Sequence, residues 1–179
     1  FPTRRSSDLG KARICTKLDI HRQFRHRRNH QSESLAMKIK AITISQPWAD
    51  KIRRREKFVE NRYWRTNYRG PIAIHAGKGA QYLSKSELSK YPTGAVVAIA
   101  DLVACLELRK LLQLSPDAEI VDTRFTVGEI VSHKYAEGPE LWVLDNIRAI
   151  EPMAAVGKQG LWLWDCQQEI KYLDQVPQS

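Results

Sequence analysis

Between Gly94 and Leu108 the chain carries its longest apolar stretch, Ala-Val-Val-Ala-Ile-Ala-Asp-Leu-Val-Ala-Cys-Leu-Glu-Leu from residue 95 onward. A helix that crosses a bilayer needs roughly 20 consecutive apolar residues with few charges. This stretch is shorter and is interrupted by Asp101 and Glu107. Its Val, Ala, Ile and Leu content and the Tyr91-Pro92-Thr93-Gly94 turn before it describe a long buried strand. A chain with such a strand must build a sheet around it. No apolar segment follows the basic N-terminus, so no secretory signal is expected either.

The flanking patterns supply the rest of a sheet. Lys40 to Ser45 alternates, with Ile42 and Ile44 on one face. Ser45-Gln46-Pro47-Trp48 opens a short helix that ends near Arg54, with Ser45 or Gln46 as its cap. Phe58 to Trp64 is a second strand, and Pro71 to Ala76 a third, with Ile72 and Ile74 opposite Ala73 and His75. Ser84-Lys85-Ser86-Glu87 is a capping box for another short helix. Residues 109–139 are weakly patterned, with room for a short helix and a loop. Strands follow at Glu140 to Ile150 and Leu161 to Trp164, and the residues after Asp165 are expected to fray. The fold class is mainly β (α+β): a small β-barrel with two or three short helices.

Charge and cysteine content limit the function classes. The chain has a formal net charge of +9. Residues 1–36 hold nine Lys or Arg against three Asp or Glu, so most of the excess lies in a polar leader without strand or helix periodicity. Its first nine residues, Phe1 to Leu9, resemble a translated sequencing adapter, and Met37 is the expected natural start. The expected organisation is a non-native or disordered leader (1–36), one domain (38–165) and a polar tail (166–179). The alternative for the leader is a basic arm that grips phosphate. Cys15, Cys105 and Cys166 are far apart and form no CxxC pair or Cys/His cluster. No metal and no cofactor are expected, and a reducing, cytoplasmic compartment follows by default. Phosphate loops, dinucleotide fingerprints and serine elbows are absent from the sequence.

Gln46-Pro47-Trp48-Ala49, Lys57-x-x-Glu60-x-Arg62, Trp64, Tyr68-Arg69-Gly70 and Ile74-His75-Ala76 keep a familiar order. So do Gly94, Asp101-Leu102, Trp142-Val143-Leu144 and Gly157-Lys158-Gln159-Gly160-Leu161-Trp162. Together they resemble the ASCH domain family, in the branch typified by the activating signal cointegrator and its small bacterial and phage relatives. The resemblance implies a PUA-like barrel with a cleft beside the first helix, and a role in binding RNA or another nucleic acid. A distant branch hydrolyses acetylated cytidine nucleosides and another cleaves RNA. In one departure, Arg55 stands where the family pattern has Gly. A left-handed backbone there would disfavour Arg by about 1 kcal/mol.

The candidate site residues are Trp48, Lys57, Glu60, Arg62, Trp64, Arg65, Tyr68, Arg69, His75 and Lys78. Glu60 and Arg62 rise from one strand face, able to hold a phosphate or base edge, or else to form a structural ion pair. Lys57 falls on the opposite face of an ideal strand and reaches the site only if it precedes the strand proper; otherwise it is a solvated charge. Trp48 either stacks a base or anchors the helix in the core. Trp64 and Tyr68, interleaved with Arg65 and Arg69, fit a surface for single-stranded nucleic acid. His75 faces away from the Ile side, with Lys78 in the following loop. It is either a near-neutral general base or a hydrogen-bonded structural residue.

The reading is a nucleic-acid or nucleotide binder with a basic, aromatic-lined cleft, expected as a monomer. One alternative is a small hydrolase of a modified nucleoside using Lys57, Glu60 and His75. Against it, Glu60 occupies the position where the deacetylating branch has Thr. The other alternative is a protein-interaction module.

Overall fold

A computed structural model describes residues 37–174 and Val176. The leader (1–36), with Cys15, lies outside the described residues. The strands are β1 (Met37–Ile44), β2 (Val59–Arg62), β3 (Gly70–Ala76), β4 (Ala95–Glu107), β5 (Glu140–Ala154) and β6 (Leu161–Cys166). The described residues also hold four short helices, α1 (Trp48–Arg53), α2 (Lys85–Leu88), α3 (Leu108–Leu111) and α4 (Val127–Val131), where two or three were expected. The last of them, α4, opens on a capping box in which Thr126 and Glu129 exchange hydrogen bonds. The box expected at Ser84 and Glu87 is present at α2.

The strands form one sheet in the order β2-β5-β4-β3-β1-β6. All pairs are antiparallel except β1 with β3. Three register shifts along β4–β5 and one in β3–β4 let these strands bend. In a flat sheet, β2 and β1 would lie about 19 Å apart, four strand spacings, beyond the reach of any side chain. Yet Arg62 of β2 donates to the Thr43 carbonyl of β1 at 3.0 Å. The sheet is therefore curled into a barrel, and a side chain spans the seam where no strand ladder does.

Burial explains why β4 reads as an almost unbroken apolar run. One core gathers Ile42, Ile72, Leu102, Trp142 and Leu144, with Ala49 and Ile52 of α1. A second packs Ala41, Ala73, Ile99 and Ile150 against Trp162 and Trp164. A third sets Ala104, Leu141 and Val143 against Phe125 and Ile130 beside α4. The central strands are covered on both faces, so alternation is lost. Trp142, Trp162 and Trp164 are buried, as core residues.

Some boundaries differ from expectation. β2 covers only Val59–Arg62, because the chain leaves the ladder at Tyr63. β5 and β6 run to Ala154 and Cys166. The residues after 165 do not fray at once: the Leu173 amide donates to Ala149, and the Glu151 amide to the Lys171 carbonyl. This pairing uses backbone groups and leaves little trace in side-chain pattern. No helix among the described residues is long and apolar enough to cross a membrane.

Candidate nucleic-acid interface

The first helix and the strand after it build a cleft. Gln46 is fully buried: its amide nitrogen donates to the Pro92 carbonyl at 2.8 Å and its oxygen accepts the Asp50 amide of α1 at 3.0 Å. This fixes the start of α1, so Trp48 emerges from a held turn. Trp48 packs partly on the barrel core and meets Tyr82 and Tyr135 edge-on, at ring-centroid distances of 6.0 and 5.4 Å. The core-anchor reading of Trp48 describes one side of it, and the other side lines the cleft. The cleft holds about 200 Å³ and is lined by Trp48, Lys57, Glu60, Tyr63, Tyr82 and Tyr135.

Lys57 lies just before β2, which brings its side chain inward. It is 2% exposed, not a solvated charge. Its ammonium donates to the Val59 carbonyl and to Glu60 Oε2 at 2.6 Å. Glu60, 8% exposed, meets Arg62 Nη2 through its other oxygen at 3.1 Å. The three charges form a chain from the cleft floor to the barrel seam. Arg62 is thus an ion-pair residue whose Nη2 also donates to the Thr43 carbonyl and closes the barrel.

Asn61 shapes the opposite wall. Its amide nitrogen donates to the Tyr135 carbonyl at 2.8 Å, and its oxygen accepts the Glu137 and Gly138 amides at 3.0 and 3.1 Å. Three hydrogen bonds of this side chain thus go to the loop carrying Tyr135. Lys134 and Lys51 flank Tyr135, 4.8 and 5.5 Å from its ring centroid. Hydrogen bonding by Lys134, then Lys51, holds its phenol below the ordinary tyrosine value, and the same contact raises Lys51. Tyr63 is 93% exposed at the rim, open for stacking.

The remaining sequence candidates lie elsewhere. Trp64 packs edge-on against Trp142 at 4.6 Å, and its carbonyl accepts the Trp142 indole N–H. Arg65 reaches the Cys105 carbonyl, Glu107 and Glu140. The Tyr68 hydroxyl donates to Pro71, and Arg69 folds back on the Thr66 and Tyr68 carbonyls. Lys78 lies across Gly94. His75 is buried against Trp162 with Nε2 3.1 Å from the Ala155 carbonyl, and it does not line the cleft. Burial depresses its pKa, partly offset by that carbonyl. The structure thus brings Trp48, Lys57 and Glu60 together, places Arg62 behind them, and leaves the other six outside.

Asn61, Tyr63, Tyr82 and Tyr135 were missed by sequence reasoning. Asn61 and Tyr63 flank Arg62 and were readable as an aromatic–polar interleaving. Tyr82 and Tyr135 sit in segments without periodicity. Among the described residues no group of three or more His, Cys, Asp or Glu is placed to hold a metal ion.

A curled mixed sheet with a short helix over an aromatic cleft defines the class: a small, mainly β barrel domain. The ASCH domain matches residues 42–154, and the chain belongs to that family. It is 28% identical over 128 residues to activating signal cointegrator 1 of Mus musculus and 27% identical over 130 residues to that of Homo sapiens. Each match covers 59% of this chain and 22% of the relative, so the chain spans about a fifth of their length. The solved ASCH structure from Zymomonas mobilis is similar at 15% identity and a TM-score of 0.43, covering 70% of this chain and 86% of that one.

Proposed function

We propose that the domain binds single-stranded RNA or a related single-stranded nucleic acid by taking an unpaired base into the cleft of Trp48, Tyr63, Tyr82 and Tyr135. The observation that carries this reading is the exposure of Tyr63 at the rim of a cleft with three further aromatic walls. Aromatic faces accept any base, and each stacked base contributes about 1–3 kcal/mol. Glu60 and Lys57 on the floor offer an acceptor and a donor to a base edge, though each already holds the other. Lys51 and Lys134 place positive charge beside Tyr135, where a phosphate of the bound strand would pass. The role implied by the family resemblance points the same way.

Recognition is favoured over turnover of a modified nucleoside. The acid–base set for turnover required His75, which lies outside the cleft, and Lys57 and Glu60 are committed to one another. The test is fluorescence anisotropy of a labelled single-stranded RNA dodecamer with the full chain at low salt. Tyr63→Ala should weaken binding by about 5- to 150-fold, the equivalent of losing one stacked base. Binding that is absent, or unchanged by Tyr63→Ala, would overturn the reading.

A further inference from the structure

A second and larger cleft, of about 530 Å³, lies between the turn after α1 and the middle of β5. Arg55, Arg124 and Arg148 line it over a floor that includes Phe58 and Leu144. We infer that this arginine cleft is a binding site for a phosphate-bearing ligand, separate from the tyrosine cleft.

Charge is the first argument. Asp145 is the single carboxylate lining the cleft, and Arg124 already engages it at 2.9 Å. Among the described residues, Arg55 and Arg148 have no carboxylate partner. Both are nonetheless held in place. Arg55 Nε donates to the Ile147 carbonyl at 3.0 Å, and the Arg148 guanidinium lies over the Tyr172 ring at 4.2 Å. Positioned, uncompensated guanidiniums bind anions without first losing much side-chain freedom.

Backbone geometry is the second. Arg55 has φ 64° and Asn146 φ 47°, so two non-glycine residues of this cleft hold left-handed conformations. A turn needing only that geometry is better served by glycine. Arg55 gives up that advantage and places a guanidinium on the cleft wall. Strained residues of this kind gather at functional sites.

Chemistry selects the ligand. The guanidinium fork matches phosphate oxygens bidentately, and several arginines around one space suit a group with more than one negative charge. Phe58 and Leu144 exclude water from one side and strengthen the attraction. The phosphate can belong to an RNA backbone or to a free polyphosphate. The RNA arm of the test below rests on the proposed function; the polyphosphate arm does not.

The probe is sodium tripolyphosphate, titrated at low salt while the melting temperature of the full chain is followed, with potassium chloride of equal ionic strength as control. The wild type should be stabilised, its melting temperature rising with the logarithm of probe concentration once the site begins to fill. Arg55→Gly, whose backbone suits the turn, and Arg148→Gln should each weaken apparent affinity about tenfold. The salt dependence of RNA dodecamer binding is then measured. A slope lower by about 0.7 per removed contact assigns the site to an RNA backbone. An unchanged slope with lost tripolyphosphate protection assigns it to a free polyphosphate; both outcomes support the site. Absence of protection in the wild type, or full protection in the double variant, overturns it. Tyr63→Ala that keeps tripolyphosphate protection but does not weaken RNA binding would count against the tyrosine cleft alone.

Discussion

Replacing Lys57 by Met removes the charge at the centre of the buried network while keeping most of the side-chain volume. Glu60 then keeps one charged partner, Arg62 at 3.1 Å, and loses the other at 2.6 Å. Breaking a buried pair from one side typically costs about 3–5 kcal/mol. Arg62 still faces the carboxylate, and the open cleft lets water reach it, so the cost falls below that range, at about 2–3 kcal/mol. For a domain of this size that lowers the melting temperature by roughly 4–12 °C. The assay is urea unfolding followed by tryptophan fluorescence, reading the midpoint at constant slope. The Lys57→Met, Glu60→Gln double variant should lose less than the two single losses added together, with a coupling of about 1–3 kcal/mol. A single-variant loss below about 1 kcal/mol, or strict additivity in the cycle, would refute the claim that these charges stabilise the fold as a unit.

Arg55→Gly should relieve about 1 kcal/mol of left-handed strain against loss of the bond to Ile147; its net effect on urea stability should stay within about 1 kcal/mol. Gly157→Ala would place a methyl 2.5 Å from His75 Cε1 and 2.9 Å from Thr43 Oγ1, and should destabilise the fold by about 1–3 kcal/mol in the same assay. Asn61→Ala removes three bonds to the Tyr135 loop; about 2 kcal/mol of loop stability should disappear, seen as faster hydrogen exchange at Glu137 and Gly138. Burial lowers the pKa of both His75 and His133. The unfolded chain therefore binds more protons as pH falls through the ordinary imidazole value near 6.5, and stability should decline on acidification from there down to the native values. Thermal melts across that range check this, and His75→Gln should flatten the slope.

Much of the barrel was legible because its strands are apolar runs punctuated by turn residues, as at Gly94 and at the Ser84 to Glu87 capping box. The Thr126 to Glu129 box had the same spacing as the recognised Ser84 to Glu87 box, but stood in a segment without periodicity. The site was legible where local sequence sets it: Trp48 after the Gln46-Pro47 turn, and Lys57 to Glu60 at the start of β2. Lys57 illustrates the limit of alternation, since its inward direction depends on where the ladder begins. Trp64 to Arg69 looked like a binding strip because their chemistry suits one. Their actual partners, Trp142, Glu107, Glu140 and backbone carbonyls, are distant in sequence or carry no side-chain signature. Tyr82 and Tyr135 reach the cleft through tertiary packing alone.

The seam between β2 and β1 has a consequence for how the molecule responds to a ligand. A single nitrogen of Arg62, Nη2, meets both the Thr43 carbonyl and Glu60, and Glu60 also lines the cleft. A ligand that draws on Glu60 must redistribute the charge that fastens the barrel shut. Occupancy and the breathing of the barrel wall are then thermodynamically linked, each altering the other by the same free energy. Opening events at the β2 edge, too rare to see in a static picture, would become the measure of what the cleft holds.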